Sequence, residues 1–118
     1  MREIRFYRTA SGRSPVEEFL DTLSGKQAQK VIWVLRLLEE LERVPDLYLK
    51  KLLGTDDLWE VRVQHGGDAF RLLGFFDGPK LLVLVSAFVK KSQKTPKQEI
   101  VRAEDRKRDH LSRKKAYE

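Results

Sequence analysis

The amino-acid sequence predicts an α+β fold, in which a strand and a helix hairpin precede an antiparallel strand meander and a short C-terminal helix. Three observations support this prediction. Polarity alternates in short segments, apolar residues recur at helical spacing between these segments, and glycine-containing turns separate the later strands. With 118 residues and a mass of 13.8 kDa, the chain suits one domain over residues 1–118.

The N-terminal part of the chain predicts one strand and two helices. Alternating polarity over residues 3–8 indicates the strand. Ser14-Pro15-Val16-Glu17 has the pattern of a capping box with proline at the first helical position, and the short helix that it begins ends at Ser24-Gly25. Apolar residues at helical spacing predict a longer helix from about Lys26 to Arg43. We expect the two helices to form a hairpin on one face of a sheet.

Three further segments predict the sheet itself. Residues 58–65 alternate in polarity, residues 69–76 are largely apolar, and residues 81–89 are apolar on both faces, as expected for an interior strand. Gly66-Gly67 and Asp77-Gly78 are tight-turn sequences between them. The three strands should therefore form an antiparallel meander.

The C-terminal quarter of the chain combines a predicted helix with most of the positive charge. Thr95-Pro96-Lys97-Gln98 repeats the capping-box pattern, and we expect the helix to fray beyond Ala103, where the sequence is mostly charged. Residues 90–118 contain eleven Lys or Arg and five Asp or Glu, which accounts for the whole net charge of +6. Such a region favours nucleic acid or an acidic protein as partner, and a solvated charged tail is the alternative.

Several functional classes are excluded by composition. The absence of cysteine rules out disulfides, thiolate catalysis and most structural zinc motifs. Asp56-Asp57 is accompanied by no histidine or third carboxylate, so we expect a polar loop, and we predict no metal or cofactor. No apolar run approaches the roughly 18 residues that span a bilayer, and the N-terminus lacks the apolar region of a signal peptide. We expect a cytoplasmic protein without membrane association.

The turn at Gly66-Gly67 brings two arginines together. It places Arg62 directly opposite Arg71, and like charges in that position destabilise a sheet unless an anion or a carboxylate lies between them. Glu60 is on the same face and can supply this carboxylate. The opposite face of this hairpin is apolar, and we expect it to pack against the helices; it carries Trp59, Val61, Val63, Phe70, Leu72 and Phe76.

Continued alternation assigns the next strand to the same two faces. The arginine face receives Leu82, Leu84, Ser86 and Phe88, and Lys90 follows; the helix face receives Val83, Val85, Ala87 and Val89. Lys91 and Lys94 border the arginine face, and the helix N-terminus that follows also favours phosphate. The C-terminal helix, through Ile100 and Ala103, or a segment of a partner protein would cover the apolar part of this face.

The order of elements and three segments resemble the RelE/HigB superfamily, and most closely its phage-derived Gp49-like branch. The segments are Leu58-Trp59-Glu60-Val61-Arg62, Phe70-Arg71-Leu72-Leu73 and the stretch from Ala87 to Ile100, of which Phe88 to Ile100 is the most specific. The resemblance covers nearly the whole chain. It implies a RelE-like fold and a ribosome-dependent mRNA endonuclease, the toxin of a type II toxin–antitoxin system. It also implies a cognate antitoxin, encoded by the adjacent gene and often carrying a helix-turn-helix domain.

The resemblance assigns roles to individual positions. Arg71 matches an arginine associated with the scissile phosphate, Arg62 matches a basic position on the preceding strand, and Lys90 or Lys91 matches a basic position after the last strand. Glu60 stands where some relatives have lysine, and no tyrosine lies near Lys97, where some relatives have a catalytic one.

These residue types suit metal-free RNA cleavage on the ribosome. Arginine stabilises a charged phosphorane well but accepts protons poorly, whereas a lysine beside other cations can act as a base, and Glu60 is a second candidate. The predicted catalytic residues are Arg62, Arg71, Lys90, Lys91 and Glu60; the predicted RNA-binding residues are Lys94, Lys97, Phe88, Arg102 and Arg106. We interpret His65 as a turn residue and His110 as a solvated helix residue.

Two other functions remain open. One is a ParE-like inhibitor that binds a protein target such as gyrase without cleaving RNA. The other is a basic nucleic-acid-binding module without activity. Convergence of the two arginines on one phosphate-sized site favours the nuclease.

Overall fold

The computed structural model describes residues 1–116, which form one five-stranded sheet with helices on both faces. The strands are β1 (Glu3–Phe6), β2 (Leu49–Lys51), β3 (Trp59–His65), β4 (Asp68–Phe76) and β5 (Leu81–Val89); the helices are α1 (Pro15–Asp21), α2 (Gly25–Glu40) and α3 (Lys97–Ala116). The strand order is β1-β5-β4-β3-β2, and β1 runs parallel to β5. The predicted α+β fold and meander are confirmed, and the sequence analysis missed the short edge strand β2.

The helix hairpin begins and ends close to the predicted positions, but its caps differ. Ser14 accepts a hydrogen bond from the amide of Glu17, as predicted, yet the Glu17 carboxylate binds Arg8 and does not complete a capping box. The complete capping box is instead formed by Ser24 and Gln27 at the start of α2. At the other end, the guanidinium of Arg2 donates to carbonyls around the end of α2, which satisfies acceptors that the helix leaves without an internal partner.

The β3–β4 hairpin has the predicted register, with Arg62 directly opposite Arg71. Its apolar face packs against α1 and α2, as predicted, in a core that includes Val61, Phe70 and Leu72. The direction and faces of these two strands could be derived because a single tight turn fixes every pair in the hairpin.

A β-bulge makes the predicted faces of β5 wrong in its first half. Leu73 pairs with Ser86, but Gly74 pairs with Leu84, so Val85 has no partner in β4. As a result Leu82 and Leu84 pack under α1 and α2, whereas Val83 and Val85 face α3. Ser86, Phe88 and Ala87 lie on the predicted sides, because they follow the bulge.

Gly74 allows the strands to approach closely beside this bulge. A Cβ atom at Gly74 would lie 2.4 Å from the carbonyl oxygen of Val83 and 2.9 Å from a methyl group of Leu84. Any larger residue would push β4 and β5 apart, and the glycine is therefore part of the bulge.

The C-terminal helix covers the second face of the sheet and does not fray after Ala103, contrary to expectation. Ala103 is fully buried, and Ile100 packs on the same cluster as Leu73 and Phe75. Of the two covers predicted for the apolar part of this face, the C-terminal helix is therefore the one present. The helix continues to Ala116 because polar contacts fix its second half: Lys107 donates to the Asp56 carbonyl, Tyr7 binds Asp109, and Arg113 binds both Asp109 and the Arg8 carbonyl. Within residues 1–116, no helix combines the length and apolar character that crossing a bilayer requires.

Candidate functional site

Glu60 lies between the two paired arginines on the face of the sheet opposite α1 and α2. Its Oε1 atom is 3.5 Å from Nε of Arg62 and 3.5 Å from Nε of Arg71. The side chain of Glu60 is only 3% exposed, against 11% for Arg71 and 32% for Arg62. The carboxylate that the register required between the arginines is therefore present, and it is nearly inaccessible to solvent.

Thr95 occupies the second oxygen of Glu60. Its hydroxyl donates to Oε2 at 2.6 Å across a separation of 35 residues, and no hydrogen bond from Gln98 to Thr95 is present within residues 1–116. The capping box predicted at Thr95 is therefore wrong. Thr95 instead connects the loop that precedes α3 to the arginine pair. Helix α3 begins at Lys97, and the backbone amides of Glu99 and Ile100 donate hydrogen bonds to the Pro96 carbonyl.

The Arg71 guanidinium is held from two sides. Nη1 donates to the Phe70 carbonyl at 3.0 Å, whereas Nε, 3.5 Å from Oε1 of Glu60, is a buried donor that makes no hydrogen bond among residues 1–116. Burial lowers the pKa of Arg71 more than the neighbouring carboxylate raises it. An arginine remains charged under such conditions, so the group is a fixed cation.

Lys90 adjoins this pair at the end of β5. Burial lowers its pKa, and the charges of Arg71, Arg62 and Lys50 lower it further, while Glu60 acts in the opposite direction. Lys50 lies on β2 directly opposite Glu60, and the sequence analysis missed it together with its strand. Four cationic side chains thus surround one carboxylate, and a lysine in this setting gives up its proton more readily than an exposed one.

A cavity of about 260 Å³ opens beside the arginines, and we call it the arginine cavity. It is lined by Lys30, Leu47, Tyr48, Arg62, Val63, Gln64 and Arg71. Tyr48 comes from the segment before β2, where its carbonyl accepts a hydrogen bond from the Arg62 amide. The sequence analysis did not place Lys30 or Tyr48 at this site. Lys30 lies on α2, and Tyr48 precedes β2, the strand that the analysis did not detect. The ammonium group of Lys30 and the hydroxyl group of Tyr48 add hydrogen-bond donors to this cavity.

The predicted lysines after β5 lie close in sequence to this cluster but differ in environment. Lys91, Lys94 and Lys97 are exposed, unlike the half-buried Lys90. Phe88 is only 8% exposed and packs between the sheet and α3. Its ring faces the core, which argues against the predicted RNA-binding role of Phe88.

The two predicted RNA-binding arginines of α3 are not equivalent. Nη1 of Arg106 donates to the Val85 carbonyl at 2.9 Å and to the Ser86 hydroxyl at 2.8 Å, and burial lowers the pKa of this arginine. This predicted RNA-binding residue is therefore fixed to the sheet, where it satisfies two acceptors at the bulge. Arg102 is exposed, and among the described residues it pairs only with Glu99 on its own helix.

The two histidines and Asp56-Asp57 lie outside the cluster formed by Glu60, Arg62, Arg71 and Lys90. Asp56-Asp57 is part of the loop between β2 and β3, as predicted. His110 is half-buried, contrary to the interpretation as a solvated residue: it contacts Asp77 and the Phe75 ring, and burial lowers its pKa. Asp77 follows β4, roughly 20 Å along that strand from Arg71 at a rise of about 3.3 Å per residue. His65 lies at the hairpin tip, as predicted. Within residues 1–116, no group of three or more His, Asp or Glu side chains is arranged to hold a metal ion.

The arrangement can bind one phosphate group and polarise it. Two guanidinium groups approach from neighbouring strands, Lys90 approaches from the strand end, and a buried carboxylate fixes the geometry. Guanidinium donors match phosphate oxygens well, particularly where water is partly excluded.

Comparison with known proteins identifies a related family. The family model described as phage-derived protein Gp49-like (DUF891) matches residues 18–108 of this chain. That range includes α2, strands β2 to β5 and every residue of the cluster. No curated protein matches the sequence.

Proposed function

Because the chain belongs to the phage-derived Gp49-like family, a branch of the RelE/HigB-type toxins, we propose that it cleaves mRNA on the ribosome. The family indicates a toxin of a toxin–antitoxin system and implies an antitoxin partner. The cleavage activity is our proposal. The observation that carries it is the pair Arg62 and Arg71, held by the buried carboxylate of Glu60 beside a half-buried lysine.

Cleavage would use the 2′-hydroxyl of the RNA as nucleophile. A base removes the 2′ proton, the 2′-oxygen bonds to phosphorus, the bond from phosphorus to the 5′-oxygen breaks, and an acid protonates that oxygen. The products are a 2′,3′-cyclic phosphate and a 5′-hydroxyl. No metal takes part in this scheme, and the charge that develops on the phosphate oxygens is stabilised by Arg62 and Arg71.

Lys90 is the better candidate for the proton-transfer role than Glu60. Its pKa is lowered by burial and by the neighbouring cations, which increases the neutral fraction available as a base. Both oxygens of Glu60 are engaged, one by the arginines and one by Thr95. We therefore assign Glu60 to positioning the arginines, and we keep Lys91 as a second basic group at the strand end. Lys94, Lys97 and Arg102 would attract ribosomal RNA in a salt-dependent way.

Single-turnover cleavage of mRNA on programmed ribosomes tests this proposal. Arg71→Ala should slow cleavage about a hundredfold at saturating ribosomes, because one charged contact to the transition state is worth on the order of 3 kcal/mol. Arg5→Ala is the matched control, since Arg5 is exposed on the opposite edge strand, and it should cleave at the wild-type rate. Equal rates for all three proteins, or no cleavage by the wild type, would overturn the proposal. In the second case inhibition of gyrase becomes the function to test.

A further inference from the structure

The outer face of α2 carries an apolar patch that residues 1–116 leave partly exposed. Ile32 and Trp33 are 36% and 46% exposed, and Leu47, in the loop before β2, is 67% exposed. Large apolar side chains grouped on one surface favour contact with another protein, whereas single exposed ones are ordinary.

Trp33 connects this patch to the arginine cavity. Its ring packs edge to face on Tyr48 with 6.1 Å between centroids, and the ammonium of Lys30 lies 4.4 Å from its ring centre. Lys30, Tyr48 and Leu47 line the arginine cavity, while Ile32 and Trp33 line a second cavity of about 390 Å³ on α2. The patch and the proposed cleavage site are therefore neighbouring parts of one surface.

The charged side chains that line these two cavities are all cationic. They are Lys30, Arg36, Arg62 and Arg71, and neither cavity is lined by an aspartate or a glutamate. A second copy of the chain would bring these cations against one another, which disfavours self-association here. RNA could neutralise the charge but would leave Ile32 and Leu47 without an apolar partner. An acidic, amphipathic protein segment satisfies both features.

We propose that such a segment of the antitoxin covers Ile32, Trp33 and Leu47 and places a carboxylate over Arg62 and Arg71. Neutralisation is then direct occlusion: the anion that the arginines bind in the inhibited complex takes the place of the RNA phosphate. This inference rests on the proposed function for the identity of the blocked site, but the binding it describes requires no nuclease activity.

Calorimetric titration with the protein encoded beside the toxin gene tests this interface. Trp33→Glu and Ile32→Glu should each weaken binding at least about tenfold, because each adds a negative charge and removes an apolar contact. Leu53→Glu is the control, since Leu53 is 90% exposed but lies on neither cavity, and it should bind like the wild type. Arg36→Gln should weaken binding and reduce its dependence on salt. Circular dichroism verifies that each variant is folded.

Neutralisation in cells provides the second measurement. The Ile32→Glu variant should remain as toxic as the wild type and should no longer be rescued when the antitoxin is co-expressed. Affinities within threefold of the wild type for both variants would overturn the inference. So would variants that still bind antitoxin but lose either self-association or ribosome binding, since the surface would then serve a second copy or RNA. Loss of antitoxin binding without any mRNA cleavage by the wild type would support the interface and refute the proposed function.

Discussion

Replacing Glu60 by glutamine tests whether the carboxylate holds the arginine pair in place. The change removes one negative charge, keeps the side-chain volume and leaves Arg62 facing Arg71 without a counter-ion. Two unit charges 3.5 Å apart attract by about 5 kcal/mol at an effective dielectric constant of about 20. Partial exposure of Arg62 screens its pair, and desolvation of the carboxylate opposes both pairs. We therefore expect the free energy of unfolding to fall by about 2–4 kcal/mol.

Urea denaturation measures this effect, and a mutant cycle isolates its cause. In a background where Arg62 and Arg71 are both glutamine, Glu60→Gln should cost less than about 1 kcal/mol, because there is no repulsion left to relieve. Glu40→Gln, on the exposed end of α2, is the control and should change stability by less than about 0.5 kcal/mol. A cost below about 0.5 kcal/mol for Glu60→Gln in the wild-type background would refute the positioning role.

Three further predictions concern proton transfer, the bulge and α3. Because burial and neighbouring cations lower the pKa of Lys90, the single-turnover cleavage rate should rise with pH and reach its plateau below the pKa of an ordinary lysine. Lys90→Arg should be slow and lack this inflection, whereas an unchanged pH profile would remove Lys90 as the base. Gly74→Ala should lower the free energy of unfolding by about 2–3 kcal/mol, because the new Cβ atom clashes with the neighbouring strand. Gly67→Ala is the control and should change this free energy by less than about 1 kcal/mol, because there is open space around its Cβ position. Arg106→Gln should lower the free energy of unfolding by about 1–3 kcal/mol in thermal or urea denaturation, because it leaves acceptors at the bulge unpaired. Arg102→Gln should leave this free energy unchanged, and equal stability of the two variants would contradict the structural role of Arg106.

Much of the site could be predicted from local sequence because one turn determines it. Gly66-Gly67 fixes the pairing of Arg62 with Arg71, and electrostatics then requires a carboxylate such as Glu60. Lys90 follows from the length of the next strand. These inferences use only alternation and turn geometry, which the sequence displays directly.

The features that were missed depend on contacts between distant residues. The bulge at Val85 is invisible in a strand that is apolar on both faces, because an inserted residue does not disturb its pattern. Thr95 has the pattern of a helix cap, yet its hydroxyl binds a carboxylate 35 residues away. The second half of α3 looks solvated in sequence, but its charged side chains bind loop carbonyls and carboxylates. Lys50 and Tyr48 depend on a three-residue edge strand that is too short to recognise from alternation.

Mapping RNA 5′ ends in cells that express the protein without its antitoxin tests the central claim most directly. The account predicts new 5′-hydroxyl ends within translated regions of mRNA, and it predicts that these ends disappear with Arg71→Ala while Arg5→Ala still produces them. Growth arrest with intact mRNA and altered DNA supercoiling would contradict it and would identify a gyrase inhibitor instead.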